Sequence, residues 1–263
     1  SAIYDPAVAA TYRACFDWLS ADQSGAAWKK AVAHQTPVPA TAAAIPRGVT
    51  PILSPQPDKQ MISLYADVCR RAKILFVSAP FLLHEDIRAV IEGPSNGSLR
   101  YVMADKEGSF GTEGALELMN RDPGNRGVAA TLLSNPLNDY QGRLLEHTEN
   151  WHHGGVHVHS KIILADPFGP DPILITGSAN FSSNSTLDND SNSLILRGQT
   201  GACDIYATEF LRMFEHYWFR WKLALDQAGK ATQVLSLEES DAWSAKYYVA
   251  GSSEERDRTM FAT

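Results

Sequence analysis

His157-Val158-His159-Ser160-Lys161-Ile162-Ile163-Leu164-Ala165-Asp166 passes from alternating polar and apolar residues into a solid apolar run. That is the pattern of a strand entering a buried sheet from one exposed end. A strand over residues 156–165 sends alternate side chains to opposite faces. His157, His159 and Lys161 then share one face, and an imidazole and an ammonium two residues apart project in parallel. Eleven residues beyond Asp166, Gly177-Ser178-Ala179-Asn180 closes a second apolar strand, Ile173-Leu174-Ile175-Thr176. A turn of such small residues lets backbone approach a ligand.

On both sides of this pair the chain alternates strand and helix patterns. Residues 6–30 read as a helix, with Val8, Tyr12, Cys15, Phe16 and Leu19 at helical spacing, and residues 36–46 as a Pro/Ala/Thr linker without periodicity. A short extended piece at residues 51–55 precedes a helix that Asp58 can cap, carrying Met61, Ile62, Leu64, Tyr65, Val68 and Cys69. Strands are expected at 73–77, 99–103, 128–133 and 194–196, and helices at 85–91, 112–120 and 201–227. The long last helix carries Ile205, Phe210, Phe214, Trp218 and Trp221 on a stripe expected to be core. The tail through Trp243, Tyr247, Tyr248, Arg256 and Arg258 reads as a packing appendage. This rhythm predicts an α/β layered domain with a largely buried sheet. Residues 134–155, polar and irregular with Glu146, His147, Trp151, His152 and His153, read as a long functional loop.

Composition sets the bounds. The 263 residues are 44% hydrophobic and 20% charged, ordinary globular usage. No run of eighteen apolar residues exists to span a membrane. The N-terminus shows no signal peptide and lacks an initiator Met, which suggests a processed chain or an excised fragment. A net charge of −7 argues against non-specific binding of nucleic acid, which depends on basic residues neutralising phosphates. The three cysteines, Cys15, Cys69 and Cys203, are isolated in apolar helical contexts and read as buried free thiols. None of this fixes a compartment.

His159-x-Lys161-x4-Asp166 followed by Gly177-Ser178-x-Asn180 resembles the signature of the phospholipase D superfamily at every position. The likeness extends through Val49-Thr50-Pro51-Ile52-Leu53-Ser54-Pro55, Phe181-Ser182, Asn189-Asp190 and the Trp243/Tyr247/Tyr248 tail, and is greatest to the C-terminal half of bacterial tandem proteins of that family. It implies an α/β/α sandwich with a mixed, mostly parallel central sheet over residues 49–263. Residues 1–48 would then be a lead-in helix and linker, the tail of an upstream repeat. A loose echo between Ala10-Thr11-Tyr12 and Ala207-Thr208-Glu209 agrees with that division. The resemblance further implies metal-independent hydrolysis of a phosphodiester, or its transfer to an alcohol, with neither metal nor cofactor. His159 would form a phosphohistidine, and a histidine from a second motif would protonate the leaving group. An imidazole with a reference pKa of roughly 6.5 suits nucleophilic attack near neutrality. Lys161 and Asn180 would neutralise the anionic phosphate oxygens, and Asp166 and Ser178 would orient the site. His157 and His153 are candidates for the substrate pocket wall, and phospholipid is the substrate expected ahead of nucleic acid.

Two features depart from the family pattern. No other histidine is followed two residues on by lysine, so a second half must come from a homodimer mate or an upstream repeat. Relatives carry Asn-Asp-Glu-Asn where this chain has Asn189-Asp190-Ser191-Asn192, losing a carboxylate that would orient a catalytic histidine. Asp188 or Asp190 are the candidates to replace it. Three alternatives stay open: a degenerate half-domain that binds phosphate or completes a partner's site, a nuclease of the same superfamily, and a zinc hydrolase using His152, His153, His157 and His159. The Gly-Ser-Phe-Gly-Thr-Glu-Gly run at 108–114 lacks the Lys-Ser/Thr of a phosphate loop.

Overall fold

A computed structural model describes residues 3–22, 24–130, 158–227 and 240–262. The chain forms α1 (Pro6–Ser20), α2 (Gly25–Gln35), β1 (Gly48–Leu53), α3 (Gln60–Arg71), β2 (Ile74–Ala79), α4 (Glu85–Ile91), β3 (Leu99–Ala104), α5 (Ala115–Met119) and β4 (Asn125–Ala129). Then follow β5 (Ile162–Ala165), β6 (Ile173–Gly177), α6 (Ser183–Leu187), β7 (Asn192–Arg197), α7 (Thr200–Gln227) and α8 (Ser253–Phe261), with a 3-10 helix at Asp241–Tyr248.

The strands form a sheet in the order β1-β7-β6-β5-β2-β3-β4. Parallel pairing is confined to β2/β3 and β3/β4, while β1/β7, β7/β6, β6/β5 and β5/β2 are antiparallel. Strands β1, β2, β3, β4 and β6 nevertheless point one way, so the expected mostly parallel sheet holds for strand direction and not for pairing. The cause is the short return through β5, β6 and β7, which inserts two reversed strands between strands of the common direction.

Helices cover both faces, giving the expected α/β/α sandwich. On one face Phe76 of β2 stacks on Phe210 of α7, with ring centroids 4.8 Å apart, and meets Tyr101 of β3 edge-on at 5.5 Å. Tyr101 in turn meets Phe214 of α7 at 4.9 Å, and Phe261 of α8 closes over both strands. On the other face the neighbouring Arg100 donates to the carbonyls of Val90 and Gly93 at the end of α4, which packs beside α3. The strands β2 and β3 are buried along their whole length, which is why their sequences are almost unbroken apolar runs.

Several boundaries differ from expectation for identifiable reasons. The first helix is two: it stops at Ser20, Asp22 takes a left-handed backbone, and Ser24 caps α2 by accepting the Ala27 amide. Strand β4 begins at Asn125 rather than at residue 128, because its polar start is itself functional in packing. Arg126 pairs with Asp257 of α8, and Asp257 also accepts the Tyr101 hydroxyl at 3.0 Å. Asp257 and Phe261 thus anchor the tail, whereas Trp243 and Tyr248 stay exposed. Asp58 accepts the Gln60 amide at 2.9 Å at the start of α3, as its position suggested. Cys69 and Cys203 are buried free thiols that burial pushes up to about 12 and about 11, and Cys15 is half-buried.

Candidate active site

The regular ladder of β5 starts at Ile162, because its partner β2 contributes its last bridge at Ser78. His159 and Lys161 therefore lie just upstream of the strand rather than inside it. Polar groups at the ends of two neighbouring strands hold this segment. Asp105, after β3, accepts the Val158 amide at 2.9 Å, and the Ser78 hydroxyl lies 2.6 Å from that of Ser160. Both anchors are buried. The site so defined lies at the carboxyl ends of β2, β3 and β6, where α/β sheets characteristically bind ligands.

Lys161 is 7% exposed and bends back on its own segment. Its Nζ donates to the His159 carbonyl at 2.8 Å and lies 3.2 Å from both Nδ1 and Nε2 of the same imidazole. Equal distances put the ammonium off both lone-pair axes, since a donor aligned with one nitrogen stands well away from the other. The ammonium faces the ring as a charge, and its directed hydrogen bond goes to backbone. Burial holds Lys161 below the ordinary lysine range. His159 itself is exposed and meets the Phe81 ring edge-on at 6.0 Å.

These residues open on a cavity of about 660 Å³ lined by His159, Lys161, Thr176 and Ser178 and, from α7, Tyr206 and Glu209. Ile205 and Met213 complete the α7 wall. Ile205 was expected in the core stripe but is 65% exposed, because it lies five positions before Phe210, an offset that turns it well away from that face. The carboxylate of Glu209 is bound by Arg212 at 2.7 and 2.8 Å, and that hydrogen bonding holds it below its ordinary range. Gly177 keeps β6 against β7: its φ is +147°, and a Cβ would run into the Asn192 backbone.

Of the residues singled out from sequence, His159, Lys161 and Ser178 line one cavity. Asn180, two residues beyond Ser178, lies outside that lining; it is half-buried, and its Oδ1 is buried without a hydrogen-bond partner among the described residues. Asp166 is placed elsewhere. It sits at the opposite end of β5 with a left-handed φ of 50°, and its Oδ1 accepts the amides of Lys73 and Ile74 at 2.8 and 2.9 Å. Its effect is to fix β5 against β2. His157 and His153 lie outside the described residues, as do His152, His147, Trp151 and Glu146. Ser191 is tied down through backbone, its amide and carbonyl both bonded to the Ser54 hydroxyl. Asp190, a candidate replacement carboxylate, accepts the Trp28 indole at 2.7 Å instead.

Sequence reasoning missed Ser78, Asp105 and the α7 wall. For Ser78 and Asp105 a signal existed, a polar residue ending a buried apolar strand on the edge where the motif was expected. For Tyr206 and Glu209 none did.

No protein-family model matches the chain, and no curated protein matches it. Among solved structures it is similar to NucT from Helicobacter pylori, with 16% identity and a TM-score of 0.45 over 64% of this chain and 95% of that one. It is likewise similar to Nuc from Salmonella typhimurium, a phospholipase D family member, with 16% identity and a TM-score of 0.43 over 66% and 95%. Phosphatidylserine synthase from Haemophilus influenzae aligns at 15% identity and a TM-score of 0.36 over 63% of this chain and 38% of that one. These are likenesses of general architecture, and the reading of the site rests on its own residues.

Proposed function

We propose that this chain is a metal-independent phosphodiesterase of the phospholipase D type, contributing one half of a two-histidine active site. The observation that carries the reading is the buried Lys161 ammonium held 3.2 Å from both nitrogens of His159 at the mouth of a 660 Å³ cavity. An anionic diester entering there meets a fixed positive charge beside an accessible imidazole. A nitrogen of His159 attacks phosphorus, the P–N bond forms, and the P–O bond to the leaving alcohol breaks. The leaving oxygen takes a proton from the histidine of a second motif. Water or an alcohol then attacks phosphorus, giving its proton to that second histidine, and the P–N electron pair returns to His159. Lys161 balances the charge on the non-bridging oxygens, and Ser178, on the same cavity wall, is placed to donate to one of them. The second motif belongs to a homodimer mate or to an upstream repeat.

A phospholipid is the substrate we favour. The apolar wall of Ile205, Tyr206 and Met213, with Phe81 and Leu82 exposed nearby, suits a diester bearing hydrocarbon. The net charge of −7 disfavours a polyanionic strand. Turnover of bis(4-nitrophenyl) phosphate in excess EDTA tests the chemistry, and loss of turnover on chelation would sink it. Specific activity that climbs with protein concentration is the expected sign that a second copy completes the site. Release of head group from phosphatidylcholine vesicles, with single-stranded DNA left intact, is expected for the lipid assignment; the reverse pattern overturns it.

The burial of Lys161 gives a pH prediction. Because desolvation lowers its pKa, the ammonium is lost, as pH rises, earlier than a solvated lysine with a reference value of about 10.4. The alkaline limb of kcat/KM is expected below that value, and Lys161→Arg should move the limb out of the measurable range whatever it does to the maximum. An alkaline limb unmoved by Lys161→Arg would assign it to another group.

A further inference from the structure

The Ser178 hydroxyl has its acceptor sites filled from one side. Asn192 donates to its Oγ twice, from the backbone amide at 3.0 Å and from Nδ2 at 3.1 Å. A hydroxyl offers one hydrogen and two acceptor positions. With both acceptor positions engaged by Asn192, the remaining hydrogen is directed away from that residue, on a side chain that lines the catalytic cavity.

This polarity depends on which way the Asn192 amide faces. Reversed, its oxygen would draw the Ser178 hydrogen to itself, and the cavity would meet lone pairs where an anionic ligand needs a donor. The far end of the same amide is met by Tyr12 of α1, whose phenol lies 3.1 Å from Oδ1 and donates to it. In the reversed arrangement this half-buried phenol would lose Oδ1 as its acceptor and face the amide nitrogen, itself a donor. Burial pushes the Tyr12 phenol above its ordinary pKa, so it stays a protonated donor. The α1–α2 segment is itself locked onto this loop. The Trp28 indole donates to Asp190 at 2.7 Å, Lys29 Nζ donates to the Leu187 carbonyl at 2.7 Å, and Tyr12 packs with Trp28, Val32 and Leu53.

We propose that Tyr12 is a positioning residue of the phosphate site: its phenol fixes the Asn192 amide so that the Ser178 hydroxyl is presented to the cavity as a donor for an anionic phosphate oxygen. The turnover consequence rests on the function proposed above; the anion-binding consequence does not.

A double-mutant cycle on the full chain tests it, with inorganic phosphate affinity by calorimetry and bis(4-nitrophenyl) phosphate turnover as parallel readouts. Ser178→Ala is expected to weaken phosphate binding about tenfold, the scale of a hydrogen bond to a charged group. Tyr12→Phe is expected to weaken it about three- to tenfold, and to have no further effect in the Ser178→Ala background. Trp28→Phe, which cuts the Asp190 bond but leaves Tyr12 in place, separates this from simple bracing of the loop. Losses for Tyr12→Phe and Ser178→Ala that add, or a Trp28→Phe loss equal to that of Tyr12→Phe, overturn the relay. Wild-type protein that binds phosphate but turns over no diester would overturn completion of the site by a second copy, while the relay is still decided by the binding arm. Wild-type protein that binds no phosphate overturns the relay itself.

Discussion

Replacing His159 by Ala is expected to lower turnover of a phosphodiester by at least about a thousandfold while leaving phosphate affinity within about threefold. The two halves of that expectation come from different atoms. In the proposed mechanism the imidazole is the attacking group, and in a homodimer it is also the acid on the opposite side, so its loss removes both contributions. The charge proposed to hold the anion is Lys161, and its directed hydrogen bond runs to the His159 carbonyl at 2.8 Å, not to the ring. Truncating the ring therefore leaves the ammonium anchored. His159 is exposed, so its loss creates no core cavity, and the change in stability should stay within about half a kcal/mol. Thermal melting, phosphate calorimetry and turnover measured on one preparation separate the possibilities. Retained turnover would remove His159 from the nucleophile's position. Phosphate binding lost along with turnover would show that the ring, and not Lys161, holds the anion.

The order of strands and helices and the residues His159, Lys161 and Ser178 were legible because each left a local pattern. Uninterrupted apolar runs mark β2 and β3, since strands covered on both faces need no polar alternation. The motif itself is local, two residues apart, and its neighbours on β6 follow within one connection. What the sequence did not display depends on contacts made at long range. Asp166 reads as part of the motif by spacing, yet its partners are the amides of Lys73 and Ile74 at the other end of the strand. The polar start of β4 falls outside the expected strand, and what pairs with Arg126 there is Asp257, more than a hundred residues on. Tyr12 and Trp28 look like ordinary apolar helix positions, and only the fold brings them to Asn192 and Asp190. The α7 wall was hidden for a different reason. A helix this rich in aromatics has more than one apolar face, and periodicity does not say which of them a neighbour covers.

Phe76→Ala is expected to cost about 3–5 kcal/mol of folding stability, toward the upper end of that range. The side chain is fully buried and stands at the crossing of the sheet with α7 and α8. It stacks on Phe210 at 4.8 Å, meets Tyr101 and Phe168 edge-on at 5.5 and 6.2 Å, and lies 6.4 Å from Phe261. Removing it deletes the transfer free energy of a benzyl group and also the specific ring pairings, each worth about 0.5–1.5 kcal/mol beyond area. The neighbours cannot collapse readily into the void, because Phe210 and Tyr101 are fixed by α7 and β3 and packed in turn against Phe214. A domain with about 5–15 kcal/mol in hand loses between about a fifth and all of its stability by this one change. Urea unfolding followed by far-UV circular dichroism, with the slope unchanged and the midpoint lowered, is the expected result. Phe261→Ala provides the contrast: it touches the same ring but is 39% exposed at the end of α8, and its cost should be markedly smaller. Phe76 lies two residues before Ser78, whose hydroxyl meets that of Ser160, between His159 and Lys161. Turnover per folded molecule should therefore be retained, and total turnover should fall only as the folded fraction falls on warming. A loss below about 1.5 kcal/mol would show that α7 and β3 close the gap, and that the aromatic stack is not what fixes the helix to the sheet.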